Sequence, residues 1–354
     1  MPSPPTPGID RRLFLTSLLG VSAAAAGLSG CTGSSAAASK TSLSEPLAKT
    51  VPAGTSLKIA SYQNVQQLQF KLAGFDDLPF KVSSWANIGA GPDVINAFRA
   101  GSLDVANNAG IPPIQAQFQG YDAKIVAINI TRRPNYLFAT KPGSDIRSIE
   151  EFRGKKLAFS QGQAQGVVLL RALKKAGLAY DDVTLVPLTS NQFLTALQSG
   201  QVDIAPLANQ QAPAYLQQYE SKGAHAITTD VVDLLNLLWA PASVLSDSAK
   251  AAAAAAYIPY WAKGQVWQYE HPDVWNEEFY VKTQNLSLAQ ARSITELANK
   301  PLFPPSWDEA LKWEQETADL LAEGGFVKKL KVDSLFDRRF EGIAAKSVPA
   351  EYRR

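Results

Sequence analysis

The amino-acid sequence predicts an α/β fold in two similar lobes with a cleft between them. Three observations lead there. Ala97-Phe98-Arg99-Ala100-Gly101-Ser102-Leu103-Asp104-Val105-Ala106 aligns without a gap on residues 196–205, at an offset of 99 residues. The same offset sets residues 57–62 against 156–161, and nearly the same spacing aligns 124–127 with 224–227. Within each copy, strand-like and helix-like runs alternate, which implies parallel strands joined by right-handed crossovers.

The N-terminus reads as a targeting segment. Arg11-Arg12-Leu13-Phe14 precedes an alanine-rich apolar run that closes on Leu28-Ser29-Gly30-Cys31. A charged start, a short apolar stretch and small residues make residues 1–30 a secretory signal, too short to span a bilayer. The twin arginine resembles the signal of folded-protein export, although Asp10 stands where that pattern prefers Ser or Thr, so either export route fits. Leu-Ser-Gly-Cys resembles the bacterial lipobox, which makes Cys31 the lipidation candidate; the alternative is a lone cysteine after a plain cleavage site. Residues 31–56, rich in Ser, Ala, Gly and Thr, read as a flexible tether.

In the second copy, residues 157–160 form a strand and 167–176 a helix with Gly177 at its C-terminal end. Residues 183–188 are the next strand, Ser190 caps a helix ending at Gly200, and 202–205 is a strand. Two extended runs, 135–140 and 234–239, read as the crossings, with hinges near Ala139-Thr140 and Trp239-Ala240. Lobe one therefore comprises 57–140 and 234–345, and lobe two 141–233. Helices capped at Ser246 or Asp247 and running from Trp307 to Glu323 buttress lobe one.

Composition excludes several functions. With 34 basic against 32 acidic residues, no net field favours a nucleic-acid partner, and the single cysteine has no partner for a disulfide within the chain. Only His225 and His271 are present, without metal-ligand spacing, and no nucleophile or phosphate-binding motif appears. The expectation is therefore no catalytic residue, no metal, no cofactor and no enzyme activity. The stretch FSQGQAQGVVLLRALKKAGL instead places an amide-rich turn where a strand feeds a helix, at the end of the sheet where ligands bind. Unsatisfied N–H groups there receive an oxyanion without a basic side chain, while Gln161, Gln163 and Gln165 offer amide hydrogens. The plain alternative is an ordinary polar loop. Residues 61–64, 88–92, 107–110 and 209–211 are further amide-bearing or glycine-bearing turns of this kind, and Trp85 and Trp239 are candidate walls. Arg132 and Arg133 are either contacts for an acidic ligand or solvated cations.

The stretches GAGPDVINAFRAGSLDVANNAGIPPIQAQFQG, SDIRSIEEFRGKKLAFSQGQAQGVVLLRALKKAGLAYDDVTLVPL and SWDEALKWEQETADLLAEGGF resemble a family: the solute-binding proteins of bacterial ABC importers in the sulfonate, taurine, nitrate and thiamine-precursor (NMT1/THI5-like) group, in lipoprotein form. The resemblance covers nearly all of 57–340. It implies a type II periplasmic-binding-protein fold, two Rossmann-like lobes joined by two crossover segments, and a monomer that hands a small-molecule ligand to a membrane permease with its ATPase. The location implied is the outer face of the cytoplasmic membrane, held through lipidated Cys31, or the periplasm. Carried over by position, the ligand contacts are Gln63, Asn108, Ala109, Gln163, Ala164, Gln165 and Asn209. Sulfonate binders resembling this chain often have hydroxyl residues where Gln163 to Gln165 stand, so a sulfonate, a related organosulfur compound, another small anion and a neutral heterocycle all fit. Two other readings stand beside this one: an enzyme of the same fold acting on an organosulfur or pyrimidine compound, for which His225 is the nearest candidate, and a surface scaffold lipoprotein.

Overall fold

A computed structural model describes residues 42–354; the expected signal, Cys31 and the first part of the tether lie outside the described residues. Lobe one begins with β1 (Ser56–Ala60), α1 (Val65–Ala73), β2 (Lys81–Ala86), α2 (Gly91–Arg99), β3 (Val105–Ala109), α3 (Ile111–Phe118) and β4 (Ala123–Ile130). Lobe two follows with β5 (Tyr136–Thr140), β6 (Lys156–Phe159), α4 (Ala164–Lys175), β7 (Thr184–Pro187), α5 (Phe193–Gln198), β8 (Ile204–Ala208), α6 (Ala212–Tyr219) and β9 (Ala226–Ile227). The chain returns through β10 (Leu235–Pro241) to the C-terminal helices α7 (Ala242–Leu245), α8 (Ser248–Glu270), α9 (Pro272–Trp275), α10 (Leu288–Glu296), α11 (Asp308–Glu323) and α12 (Ile343–Ser347).

The two sheets have the same order, β2-β1-β3-β10-β4 and β7-β6-β8-β5-β9. β1 pairs in parallel with β2 and β3, as does β6 with β7 and β8. The crossing strands depart from the all-parallel expectation. β10 lies antiparallel between β3 and β4, and β5 antiparallel between β8 and β9. Tyr136–Thr140 is thus hydrogen-bonded into the second sheet, which moves the lobe boundary from residue 140 back to 131–135. Ala139-Thr140 and Trp239-Ala240, expected as hinges, are fully buried in the middle of sheets. The segments free of either sheet are 131–135 and 228–234.

A duplicated brace explains why the repeat is visible in the sequence. The Asp104 carboxylate accepts the Lys58 N–H at 2.8 Å and pairs with Lys250 at 2.5 Å; Asp203 accepts the Lys156 N–H at 2.8 Å and pairs with Lys141 at 2.7 Å. Each Asp N–H also donates at 2.8 Å to the carbonyl of the same lysine. The third strand is in this way tied to the first in both lobes. The brace matches Lys58 with Lys156, a one-residue correction to the alignment of the first strands.

Local chemistry sets the helix ends. Asp247 caps α8 by accepting from the N–H groups of Ala249 and Lys250 at 3.0 and 3.1 Å, as expected. Gly177, at φ +69°, ends α4 in the left-handed conformation. Residues 190–192 form a 3₁₀ turn ahead of α5, and Thr189, not Ser190, stands at the cap, its N–H taken by Gln192 Oε1 at 2.9 Å. α8 packs on α1, β1 and β4. α11, expected on lobe one alone, packs on both α3 and α4 because Arg171 of α4 stacks over Trp313 at 3.8 Å and donates to Thr317 Oγ1 at 2.8 Å.

Burial works against the charged form of Asp203, but the bonds from Lys141 and from the Lys156 N–H outweigh it and hold its carboxyl below the usual range. Stabilisation from a lowered carboxylate is present above its unfolded value, near pH 4, and is lost as pH falls through the folded value. Asp203→Asn is therefore expected to lower unfolding free energy by about 1 kcal/mol near neutral pH, with the difference from the parent protein shrinking below about pH 3 in denaturant titrations.

Candidate functional site

The ends of the parallel strands, where each chain turns into a helix, face one another across a cleft of about 750 Å³. Lobe one presents the turn at Tyr62-Gln63, residues 87–91 and the end of β3 at Asn107-Asn108-Ala109. Lobe two presents Gly162 to Gln165, Ser190-Asn191 and the turn after β8. The first turns of α2 and α4 both lie in this lining, and Pro112 of the first turn of α3 joins them. Pro92, Pro112 and Pro113 carry no N–H, and those of Asp93 and Gly166 go to the Ala90 and Gln163 carbonyls, so the leading N–H groups of Gly91, Ala164 and Gln165 are the ones left at the positive end of a helix dipole beside the cleft. Among the described residues no lysine or arginine lines the cleft, and Asp93 is the one carboxylate that does.

Close approach shapes this site. A Cβ on Gly91 would stand 2.9 Å from the Gly162 carbonyl oxygen, so the two lobes meet here backbone to backbone. A Cβ on Gly166 would stand 1.9 Å from the Ser160 carbonyl oxygen, which fixes how closely α4 starts beside β6.

Of the residues expected from the sequence, Gln63, Asn108, Ala109, Gln163, Ala164 and Gln165 all line the cleft. Their amides are mostly engaged with the protein. Gln163 Oε1 accepts from Ser160 Oγ at 2.6 Å and from the Ser190 N–H at 2.8 Å, and its Nε2 donates to Ser190 Oγ at 2.9 Å. It stitches two turns of lobe two together. Gln63, in the left-handed region at φ +51°, receives support from Asn87 Oδ1 on its N–H at 2.8 Å and donates through Nε2 to Gln284 Oε1 at 2.9 Å. Gln165 has no side-chain partner among the described residues and is the expected amide best placed to meet a ligand.

Two expected residues fall elsewhere. Trp239 is fully buried, because β10 is a central strand; its ring lies edge-on to Phe98 at 4.8 Å and its Nε1 donates to Asn108 Oδ1 at 2.8 Å. It orients a cleft residue from behind instead of forming the wall. Asn209 donates through Nδ2 to the Pro134 carbonyl at 3.2 Å and lines an adjoining chamber. Trp85 packs against Phe70 at 5.7 Å on β2, off the cleft. Arg132 is paired with Glu309, Arg133 lines the adjoining chamber, and neither lines the cleft. His225 contacts the Ser144 carbonyl at 3.1 Å, also away from the cleft.

Sequence reasoning missed one wall. After α9 the chain enters a π-helix (Asn276–Val281), and this segment brings Phe279, Tyr280, Gln284 and Leu286 over the cleft. Such helices are frequent at functional sites. Two aromatics followed closely by an amide, Phe279-Tyr280 and Gln284, were the signal available. Burial pushes the Tyr280 hydroxyl up to about 12, with the nearby polar groups of Trp275 and Gln210 acting in the opposite direction. Burial, reinforced by Asp233, also raises Tyr136 well above its ordinary range. Both phenols remain neutral hydrogen-bond donors.

These features define two α/β lobes with a cleft between them, the type II periplasmic-binding-protein fold. Residues 87–236, from the cleft turn after β2 to the start of β10, match the family described as NMT1/THI5 like. An aliphatic sulfonates-binding protein of Escherichia coli K12 is 34% identical over 120 residues, which is 34% of this chain and 38% of that protein. The chain thus spans well under half the length of that relative. The crystal structure of the E. coli periplasmic aliphatic sulphonate binding protein SsuA superposes with a TM-score of 0.69 at 23% identity, covering 82% of this chain and 99% of the other. The alkanesulfonate-binding protein SsuA of Xanthomonas axonopodis pv. citri, bound to MOPS, gives 0.69 at 20% identity, covering 85% and 99%.

Gly166→Ala is expected to force the first turn of α4 away from Ser160. The cost is about 1–3 kcal/mol of stability, read as a lower denaturant midpoint with an unchanged slope.

Proposed function

We propose that the chain is the solute-binding component of an ABC importer that captures a small organic anion, a sulfonate or related organosulfur compound, and delivers it to a permease driven by its ATPase. In this reading the protein is exported, working in the periplasm or at the outer face of the cytoplasmic membrane through lipidated Cys31, and acts as a monomer. The observation that carries it is the gathering of helix N-termini and neutral amide or hydroxyl groups around one inter-lobe cleft, with no basic side chain in the lining. An acid that stays ionised at all working pH values suits such a site, because N–H groups hold its oxygens without a proton or counter-ion being exchanged. The matched aliphatic sulfonates-binding relative and the likeness of residues 87–236 to the NMT1/THI5 group support the same class. Closure about 131–135 and 228–234 would bring the turns of the two lobes onto the ligand. The enzyme reading loses its named candidate, since His225 stands off the cleft.

Thermal unfolding and calorimetry against alkyl and aryl sulfonates, MOPS, sulfate, nitrate, bicarbonate and pyrimidines test this proposal. A sulfonate at about 100 times its dissociation constant should add about 2.7 kcal/mol of stability. Since raised phenol values keep Tyr136 and Tyr280 protonated, neither phenol should make its affinity vary between about pH 6 and 9, and any change near pH 7 reports Asp233, which burial pushes up to about 7 beside Tyr136. Saturable binding of pyrimidines with no response to any sulfonate would overturn the anion assignment.

A further inference from the structure

Among the described residues, those other than glycine with φ in the left-handed region all stand beside the cleft: Gln63 at +51°, Asn64 at +55° and Asn285 at +55°. Asparagine tolerates this conformation, but for glutamine it is strained and persists only where the surroundings enforce it. Asn87 Oδ1 holds the Gln63 N–H at 2.8 Å, and Gln63 Nε2 donates to Gln284 Oε1 at 2.9 Å, one residue before Asn285. Two turns with left-handed residues are thus tied to each other along one cleft, which the first lines with Tyr62 and Gln63 and the second with Gln284 and Leu286. Strain retained in this way clusters at ligand clamps.

The side chain that the first turn presents is Tyr62. Of the exposed large apolar side chains among the described residues, it alone lies in the cleft lining, with 53% of its surface free. Its ring rests on Gly89: a Cβ there would stand 2.3 Å from Cδ2, 3.0 Å from Cε2 and 3.2 Å from Cγ. Only glycine permits that approach. The ring is therefore propped on backbone and leaves about half its surface to the cleft. Ile88, Pro112, Tyr136, Phe279 and Leu286 add apolar surface to the same lining. None of it is needed to hold an oxyanion, a task for the N–H groups of Gly91, Ala164 and Gln165. A space of about 750 Å³ leaves room beside the acid for an apolar body. Against an open aromatic ring, a second aromatic ring gains an offset or edge contact beyond the area it buries, whereas a saturated chain gains the area alone.

We infer that Tyr62 sets the specificity of the cleft by packing its ring on the body of the ligand, and that this body is a flat aromatic ring instead of an alkyl chain; that the acid it carries is a sulfonate rests on the proposed function. The held turn and the Gly89 seat keep the Tyr62 ring in place before the ligand arrives, so less ordering is left for the binding step.

Titration calorimetry of the purified protein with two matched pairs, benzenesulfonate against cyclohexanesulfonate and benzoate against cyclohexanecarboxylate, separates the ring from the acid. Benzenesulfonate should bind about two- to tenfold more tightly than cyclohexanesulfonate, as for one aromatic contact. Tyr62→Leu, which keeps apolar bulk without a flat ring, should erase that ratio by weakening benzenesulfonate, while Tyr62→Phe should retain it. Gly89→Ala, which pushes the ring off its seat, should lower the ratio as well, and carries the comparison if Tyr62→Leu fails to fold. Sulfonates bound with a ratio near one in the parent, or with a ratio that Tyr62→Leu and Gly89→Ala leave unchanged, overturn the role of Tyr62 and leave the proposed function standing. The same Tyr62-dependent ratio between benzoate and cyclohexanecarboxylate, with neither sulfonate bound, supports the role of Tyr62 and removes the sulfonate. Binding of none of the four removes both.

Discussion

The structure depends on where the chain crosses between its two sheets. Each crossing ends in a strand that slots antiparallel into the interior of a sheet, β5 between β8 and β9 and β10 between β3 and β4. A central strand has ladder hydrogen bonds on both sides and side chains covered on both faces, so neither crossing strand can yield without dismantling a lobe. All freedom between the lobes is left to two short segments. The same insertion explains why Trp239 cannot serve as a cleft wall: its strand is interior, and the indole does its work by holding Asn108 from within.

Some of the contacts that span the lobes are hydrogen bonds of neutral amides. Gln115 Nε2 donates to the Gln161 carbonyl at 3.2 Å, Gln161 Nε2 to the Phe326 carbonyl at 2.7 Å, and Gln290 Nε2 to Gln217 Oε1 at 2.8 Å. Neutral bonds of this sort contribute about 0.5–1.5 kcal/mol each, and water replaces them readily at exposed positions. α11 and the turn after it add firmer contacts to the seam, with Arg171 of lobe two over Trp313 at 3.8 Å and Phe159 against Phe326 at 4.6 Å. The cleft follows the same economy of charge, since helix ends and neutral amides supply polarity without the desolvation cost of buried cations.

Much of this organisation was legible in the sequence, and the reasons differ by element. The repeat could be read because Asp104 and Asp203 perform one task twice, and that task preserves residue type and spacing. The six cleft residues were found because turns after parallel strands must face one way. Sheet membership of residues 136–140 was not legible: an isolated apolar strand carries no mark of which neighbours it will pair with. Asn209 looked equivalent to Asn108 by position, yet its side chain turns to the Pro134 carbonyl. The wall at 279–286 was missed because its π-helix obeys neither strand nor helix periodicity. Nor could the sequence tell that Gln163 spends its amide on Ser160 and Ser190, since a polar side chain at a cleft looks alike whether it meets a ligand or a neighbour.

The strand registers at the two crossings have one more consequence. Ile130, the last residue of β4, lies opposite Leu235, the first of β10, and Phe138 near the start of β5 lies opposite Ile227 at the end of β9. Both halves of the molecule therefore have their cut ends side by side. Lobe two is in topological terms a cassette spliced into a loop of lobe one. A tight turn could rejoin Ile130 to Leu235, and a second could link the ends of the excised piece. Such an arrangement lets one half be exchanged, by recombination or by design, while the sheet of the other keeps every strand.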